Sequence, residues 1–278
     1  MKGLRTRATS AIIFVALILG GLMGGPYSFL TLFTVVTAIC LGEFFLMVMD
    51  RYKRRDRMRI GLGIAFGLVP HLIASAMLLD WLPDEGDLML AVVLVFFALL
   101  FLMFIYELLA ESRYPFENVA MMVTGMVYIG APFAMLDFIA YHRGEFNATL
   151  VFGVLAMTWL SDTGAYLTGS NFGKTPLLTR ISPNKTWEGL VGGIALVLAS
   201  SQVLAYFFPL MSTLDWFWIA LIVAVFGPIG DLVESMLKRS LHVKDSGKVL
   251  PGHGGLLDRF DAFIFLLPFV AAYLIFAR

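Results

Sequence analysis

The chain has 278 residues, of which 59% are hydrophobic and only 14% charged, with equal numbers of basic and acidic side chains. Apolar stretches longer than about 18 residues recur along it, which excludes an ordinary water-soluble globule. Crossing roughly 30 Å of hydrocarbon takes about 20 helical residues, and the sequence lacks the apolar alternation of a membrane barrel.

Nine apolar segments follow in chain order, near residues 9–24, 28–50, 60–80, 88–110, 118–140, 148–169, 188–209, 215–238 and 259–277. The expected fold is therefore all-α, a polytopic integral membrane protein of about nine transmembrane helices. The first segment follows a basic start, MKGLRTR, as a signal peptide would. GGLMGG is a poor cleavage site and further spans follow, so it is read as a retained span. With the N-terminus in the cytoplasm, 18 of the 20 Lys and Arg fall on the inner side, six of them in RYKRRDRMR. The outer loops WLPDEGD and YHRGEFN carry acids and only Arg143. Cys40 stands alone, so neither an intramolecular disulfide nor a cysteine metal site is expected. The expected division is 1–140, N-terminal membrane helices, and 141–278, the membrane region that carries two cytoplasmic loops.

Those two loops, 170–187 and 239–258, are the segments richest in charge, Gly and Pro. Asp162 and Asp231 each lie about 15 residues into a span entered from outside, roughly 22 Å deep, at one level in the cytoplasmic half. Glu188 opens the seventh span, and Asp258 and Asp261 open the last. Five carboxylates from four helices are thus expected near one inner interface. An ionised carboxylate in hydrocarbon is costly and marks a functional candidate, and a cation would offset the cost.

In GDLVESMLKR, Asp231, Glu234, Ser235, Lys238 and Arg239 fall on one helix face. A plain structural reading pairs Glu234 with Lys238 at i+4 and lets Lys238 and Arg239 snorkel. Asp231 has only Ser235 and another acid at those spacings, so its own helix does not neutralise it. The downstream PGHGG packs three glycines into five residues, a turn at positive φ that aims amides at an anion before a helix N-terminus. Asp258 and Asp261, with Arg259 between them, suit Mg²⁺ bridging carboxylates to phosphate oxygens. Lys238, Arg239, Lys244, Lys248 and Arg259 supply enough cations for a triphosphate or a pyrophosphate leaving group. The other loop adds Lys174, Arg180 and Lys185. GSNFGKT is one residue short of a Walker pattern and follows no strand, so a P-loop is rejected. His253 has no second His at ligand spacing and is read as a hydrogen-bonding residue of the turn rather than a zinc ligand.

The stretch SMLKRSLHVKDSGKVLPGHGGLLDRFDAF, residues 235 to 263, resembles the signature of the phosphatidate cytidylyltransferases, the CDP-diacylglycerol synthases, with no departure from it. SDTGAY, the FGK stretch and ISPNKTWEG resemble that family's upstream region, so the likeness is close over residues 158 to 265 and only hydropathic before that. The resemblance implies a Mg²⁺-dependent enzyme of the bacterial inner membrane, its active site facing the cytoplasm, that joins CTP to phosphatidic acid. One or two metal ions and a homodimer are implied; no nucleic-acid partner is.

Mapped onto this sequence, the family's metal site falls on Asp231 and Asp258, with Asp261 and Glu234 as further ligands or supports. Asp231, Asp258, Lys238, Arg239, Lys244 and Asp162 are the catalytic candidates. Gly254, Gly255, His253, Lys248, Arg259, Lys174, Lys185, Glu188 and Asp245 are the candidates for binding nucleotide or phosphate. Asp245 is equally well read as holding the loop through Lys or backbone contacts. Two alternatives stay open. One is a CTP-dependent enzyme with another lipid acceptor, an ether lipid or a polyprenol. The other is an ion-coupled transporter, since FGPIGD sets a Pro and two glycines before Asp231 as a broken transport helix does. Transport sites lie near the midplane between pseudo-repeats, whereas these charges gather toward one face and no repeat is seen.

Overall fold

The computed structural model describes residues 2–49, 54–82, 88–252 and 254–277. Ten α-helices are found among them: α1 (Lys2–Met23), α2 (Pro26–Val48), α3 (Arg54–Leu78), α4 (Leu88–Leu109), α5 (Pro115–Gly125), α6 (Ala131–Ala140), α7 (Thr149–Phe172), α8 (Trp187–Phe207), α9 (Thr213–Ser240) and α10 (Leu257–Phe276). A π-helical stretch, Met126–Gly130, joins α5 to α6. Among the described residues eight helices are long and apolar enough to cross a membrane, Pro115–Ala140 counting as one, and the apolar part of α1, Thr9–Met23, is shorter. The protein is an all-α polytopic membrane protein. One element leaves no periodic signal in the sequence, a small antiparallel hairpin of β1 (Pro176–Leu178) and β2 (Ser182–Thr186).

The chain forms two compact units, one of Met1–Phe138 with Ser246–Leu257, the other of Ile139–Asp245 with Asp258–Arg278. The segment 246–257, which a division at residue 140 assigns to the second half, therefore packs with the first unit.

The first unit has an aromatic core in which Phe29, Phe33, Phe44, Phe45 and Phe133 are almost fully buried. Glycine lets its helices approach closely: a methyl at Gly67 would press on the Leu41 side chain at 2.7 Å, and one at Gly130 would overlap the Gly67 carbonyl oxygen. Two buried polar networks cross this unit. Arg59 on α3 holds Glu107 on α4 at 2.5 Å, pairs with Asp56, and donates to Ser112 Oγ at 2.7 Å, while Asn118 on α5 donates to Glu107 at 2.8 Å. His71 Nε2 lies 3.0 Å from Thr34 Oγ1, and its Nδ1 lies 2.8 Å from Asp137, which also accepts from Ser75 at 3.1 Å. Each polar group in these apolar helices thus faces another, as the cost of burying it alone requires.

In the second unit α7 and α8 meet along a seam of small residues. A methyl at Gly164 would come within 2.9 Å of the Gly192 carbonyl oxygen, and one at Gly193 within 2.9 Å of that of Ser161. Such contacts let backbones pack where lipid supplies no hydrophobic drive. Helix α9 starts in a capping box, Ser212 with Asp215, and Tyr273 of α10 donates to Asp215 at 2.7 Å. Trp216 is fully buried and donates through Nε1 to the Phe208 carbonyl at 3.1 Å.

Candidate active site

The hairpin in the second unit is anchored at its base. Thr186 caps α8 by accepting from Gly189 N–H at 3.1 Å, and Trp187 N–H donates to the Thr175 carbonyl at 3.0 Å. The Glu188 carboxylate accepts from the backbone N–H groups of Lys174 and Thr175, at 3.1 and 3.2 Å, and from Thr175 Oγ1 at 2.9 Å. Both Glu188 oxygens are therefore engaged in shaping the loop. Arg239 donates to the Ile181 carbonyl at 3.3 Å, so α9 supports the hairpin turn.

Charged groups gather along the second halves of α7 and α9, at the start of α10 and just before α8. Asp162 lies ten residues before the end of α7 and Asp231 nine before the end of α9, about 14 to 15 Å from those ends. Asp162 stands within electrostatic reach of Asp231, Lys185 and Arg259. Lys185, from β2, pairs with Asp231, whose other oxygen accepts from Ser235 at 3.2 Å. Lys238 bridges two acids, Glu234 at 2.5 Å and Asp258 at 2.6 Å. Asp261 is buried, accepts from the N–H of Ala262 at 2.7 Å, and lies close to Glu234 and Asp231.

The structure thus brings together Asp162, Asp231, Asp258 and Asp261 with Lys185, Lys238 and Arg259; of the five carboxylates expected, Glu188 instead holds Lys174 and Thr175, and Glu234 joins the cluster. The i+4 pair of Glu234 with Lys238 exists, but the same ammonium also holds Asp258, so the pair belongs to the cluster. Lys174, Lys244 and Asp245 are exposed.

The glycine loop belongs to the first unit. Gly252 and Gly254 have φ of +79° and +85°, and Leu250 N–H donates to the Gly254 carbonyl at 3.0 Å, closing a tight turn. Lys248 is exposed, and His253 lies outside the described residues. The loop rests on Glu43, a carboxylate of α2 that is only 4% exposed. Glu43 Oε2 accepts from the N–H of Leu257 at 2.8 Å and from Ser246 Oγ at 3.2 Å. A methyl on Gly247 or Gly255 would overlap the Glu43 carboxylate, so both glycines are needed for the backbone to lie against it.

The Cytidylyltransferase family model matches residues 5–277. The chain belongs to that family. It is 34% identical over 276 residues to a protein of Staphylococcus aureus (strain COL) named phosphatidate cytidylyltransferase, covering 98% of this chain and 99% of that protein. A protein of the same name from Bacillus subtilis (strain 168) is 41% identical over 191 residues, 67% of this chain and 69% of that one. A third, from Staphylococcus saprophyticus, is 35% identical over 276 residues, 98% of this chain and 99% of that one.

Family membership spans both units, and the residue missed from the sequence lies in the first. Glu43 sits among apolar residues in the second span. An ionisable group within a span is a functional candidate by default, and that signal, applied to the N-terminal half, singles out Glu43, His71, Glu107 and Asp137. It does not name their partners, since Leu257 is 214 residues from Glu43.

Proposed function

We propose that the protein transfers the cytidylyl group of CTP to phosphatidic acid, yielding CDP-diacylglycerol and pyrophosphate. The observation that carries this reading is the gathering of five carboxylates and three cations at one end of α7 to α10 in a cytidylyltransferase family member. That end is the cytoplasmic one if the basic residues follow the positive-inside rule, which in a bacterium puts the site on the inner face of the cytoplasmic membrane.

A phosphate monoester has a second pKa near 6, so the lipid phosphate is largely ionised at neutral pH and needs no general base. One of its oxygens attacks the α-phosphorus of CTP. A new P–O bond forms as the bond to the β-phosphate oxygen breaks, and its electron pair leaves with pyrophosphate. Lys185, Lys238 and Arg259 offset the repulsion between the two anions and the charge developing on the leaving group. Lys185 and Lys238 each hold a carboxylate already, so they are positioned before substrate arrives. Lys244, exposed in the same unit, is a further cation available to phosphate oxygens.

The acids fit a hard divalent cation. The side-chain donors of these acids are all oxygen, the kind a hard divalent cation takes. Among the described residues no three acidic, imidazole or thiol groups converge as a ready-made cage. Mg²⁺ commonly takes one or two protein carboxylates and completes its shell with water and substrate phosphates. Asp231 and Asp258 would hold it, with Asp261 and Glu234 in support, and when bound it supplies charge neutralisation at the phosphates. The family resemblance also points to a homodimer, which the mass of the detergent-solubilised particle tests.

The deciding experiment supplies purified protein in detergent with labelled CTP and phosphatidic acid, with and without Mg²⁺. A labelled CDP-diacylglycerol that requires Mg²⁺ supports the reading. Product only with an ether lipid or polyprenyl phosphate replaces the acceptor, and ion uptake by proteoliposomes without nucleotide transfer overturns the enzyme.

A further inference from the structure

In the first unit a cavity of about 650 Å³ lies between α1, α2 and the glycine-loop segment, within the usual size of a small-molecule site. Of its fourteen lining residues only Thr9 and Ser10 are polar, and they are adjacent on α1. Ser10 Oγ donates to the Pro251 carbonyl at 3.1 Å, so the polar end of the cavity is the end closed by the loop. From there the walls run apolar along α1 to Ile18, eight residues or about 12 Å further on. Ile13, Leu17 and Val35 on these walls are each more than half exposed.

We propose that this cavity holds an acyl chain of the phosphatidic acid substrate. Three observations select that occupant. The cavity is walled by the apolar part of α1, Thr9–Met23, and by α2, which is long and apolar enough to cross a membrane, so the occupant is drawn from hydrocarbon. The cavity grades from polar at one end to apolar at the other, as a phospholipid does. Val249, Leu250, Pro251 and Leu256 wall the cavity and also flank the turn of Gly252 to Gly255, so one short segment presents side chains to the tail and backbone to the phosphate. The inference rests on phosphatidic acid being the acceptor and adds to it a place for the tail.

The test has two arms. Leu17→Trp and Val35→Trp fill the cavity from either wall, and Leu102→Trp, on the exposed face of α4, is the control. In mixed micelles the cavity variants are expected to raise the KM for dioleoyl phosphatidic acid about tenfold, the equivalent of losing contact with roughly two methylenes. The KM for dioctanoyl phosphatidic acid changes less, and that for CTP and the behaviour of the control stay as in the unaltered protein. Equal changes for both lipids, or none for either, overturn the proposal. In the second arm, phosphatidic acid with a terminal diazirine is cross-linked to the unaltered protein and the labelled peptides are mapped. Labels within residues 13–39 support the cavity, and labels confined to other helices overturn it. Because cross-linking reads binding, a protein that labels here but makes no CDP-diacylglycerol refutes the proposed reaction and leaves the cavity assigned.

Discussion

Replacing Glu43 by alanine removes the acceptor for two donors at once, the Leu257 N–H at 2.8 Å and Ser246 Oγ at 3.2 Å. Hydrogen bonds to a charged group contribute about 1.5 to 3 kcal/mol each, so losing both costs about 3 to 6 kcal/mol in the stability of the loop. Glu43→Gln keeps a carbonyl oxygen for the Leu257 N–H and gives up the charge, for a cost of about 1 to 2 kcal/mol. Leu257 immediately precedes Asp258, so the next carboxylate along the chain inherits any freedom gained at this amide. At about 1.4 kcal/mol per tenfold, the alanine variant is expected to lose at least about a hundredfold in kcat/KM and the glutamine variant about tenfold. Initial rates of CDP-diacylglycerol formation at varied CTP, with the thermal midpoint of the same detergent preparations, make the measurement. Gly255→Ala, whose methyl would overlap both Ser246 Oγ and Glu43, is expected to follow Glu43→Ala. An alanine variant within twofold of the unaltered protein in kcat/KM, and unchanged in thermal midpoint, would refute the anchoring role.

Asp231→Asn and Asp258→Asn are each expected to lower turnover at saturating Mg²⁺ about a hundredfold or more while the protein still inserts, and near-normal rates in both sink the metal assignment. Glu145→Gln serves as their control and is expected to leave turnover within twofold. Arg59→Ala leaves Glu107, whose side chain is fully buried, without its cation, so it is expected to destabilise the first unit by about 3 to 5 kcal/mol, read as a lowered thermal midpoint. Gly193→Leu drives a side chain into the Ser161 carbonyl of α7 and is expected to reduce turnover at least tenfold; full activity would show that the seam of small residues tolerates separation.

The helices were legible because hydrocarbon admits one backbone solution and marks each span by length and apolarity. The cluster was legible for a related reason. Asp162 and Asp231 stand out in apolar spans, helical rise places them at one depth, and the structure finds them about equally far from their helix ends. What neutralises Asp231 was not legible. Its own helix offers no cation, and Lys185 reaches it through a hairpin whose strands, of three and five residues, are too short to carry a period. Glu188 looked like a ligand by type, yet its oxygens face amides fourteen and thirteen residues upstream, a consequence of the loop's return path. The π-helical stretch at Met126–Gly130 has no mark in composition, since it accompanies the close approach of Gly130 to Gly67 on another helix.

The bond between Glu43 and Leu257 also orders the birth of the protein. Ribosomes deliver α2 more than two hundred residues before its partner amide, so a nascent chain carries an acid in its second span with nothing from the loop to receive it. Only when synthesis passes the final loop does that carboxylate gain its donors, and the first unit closes around a segment made almost last. A message truncated before residue 246 would therefore leave a visible flaw in the bilayer, a signal that membrane quality-control proteases can act on.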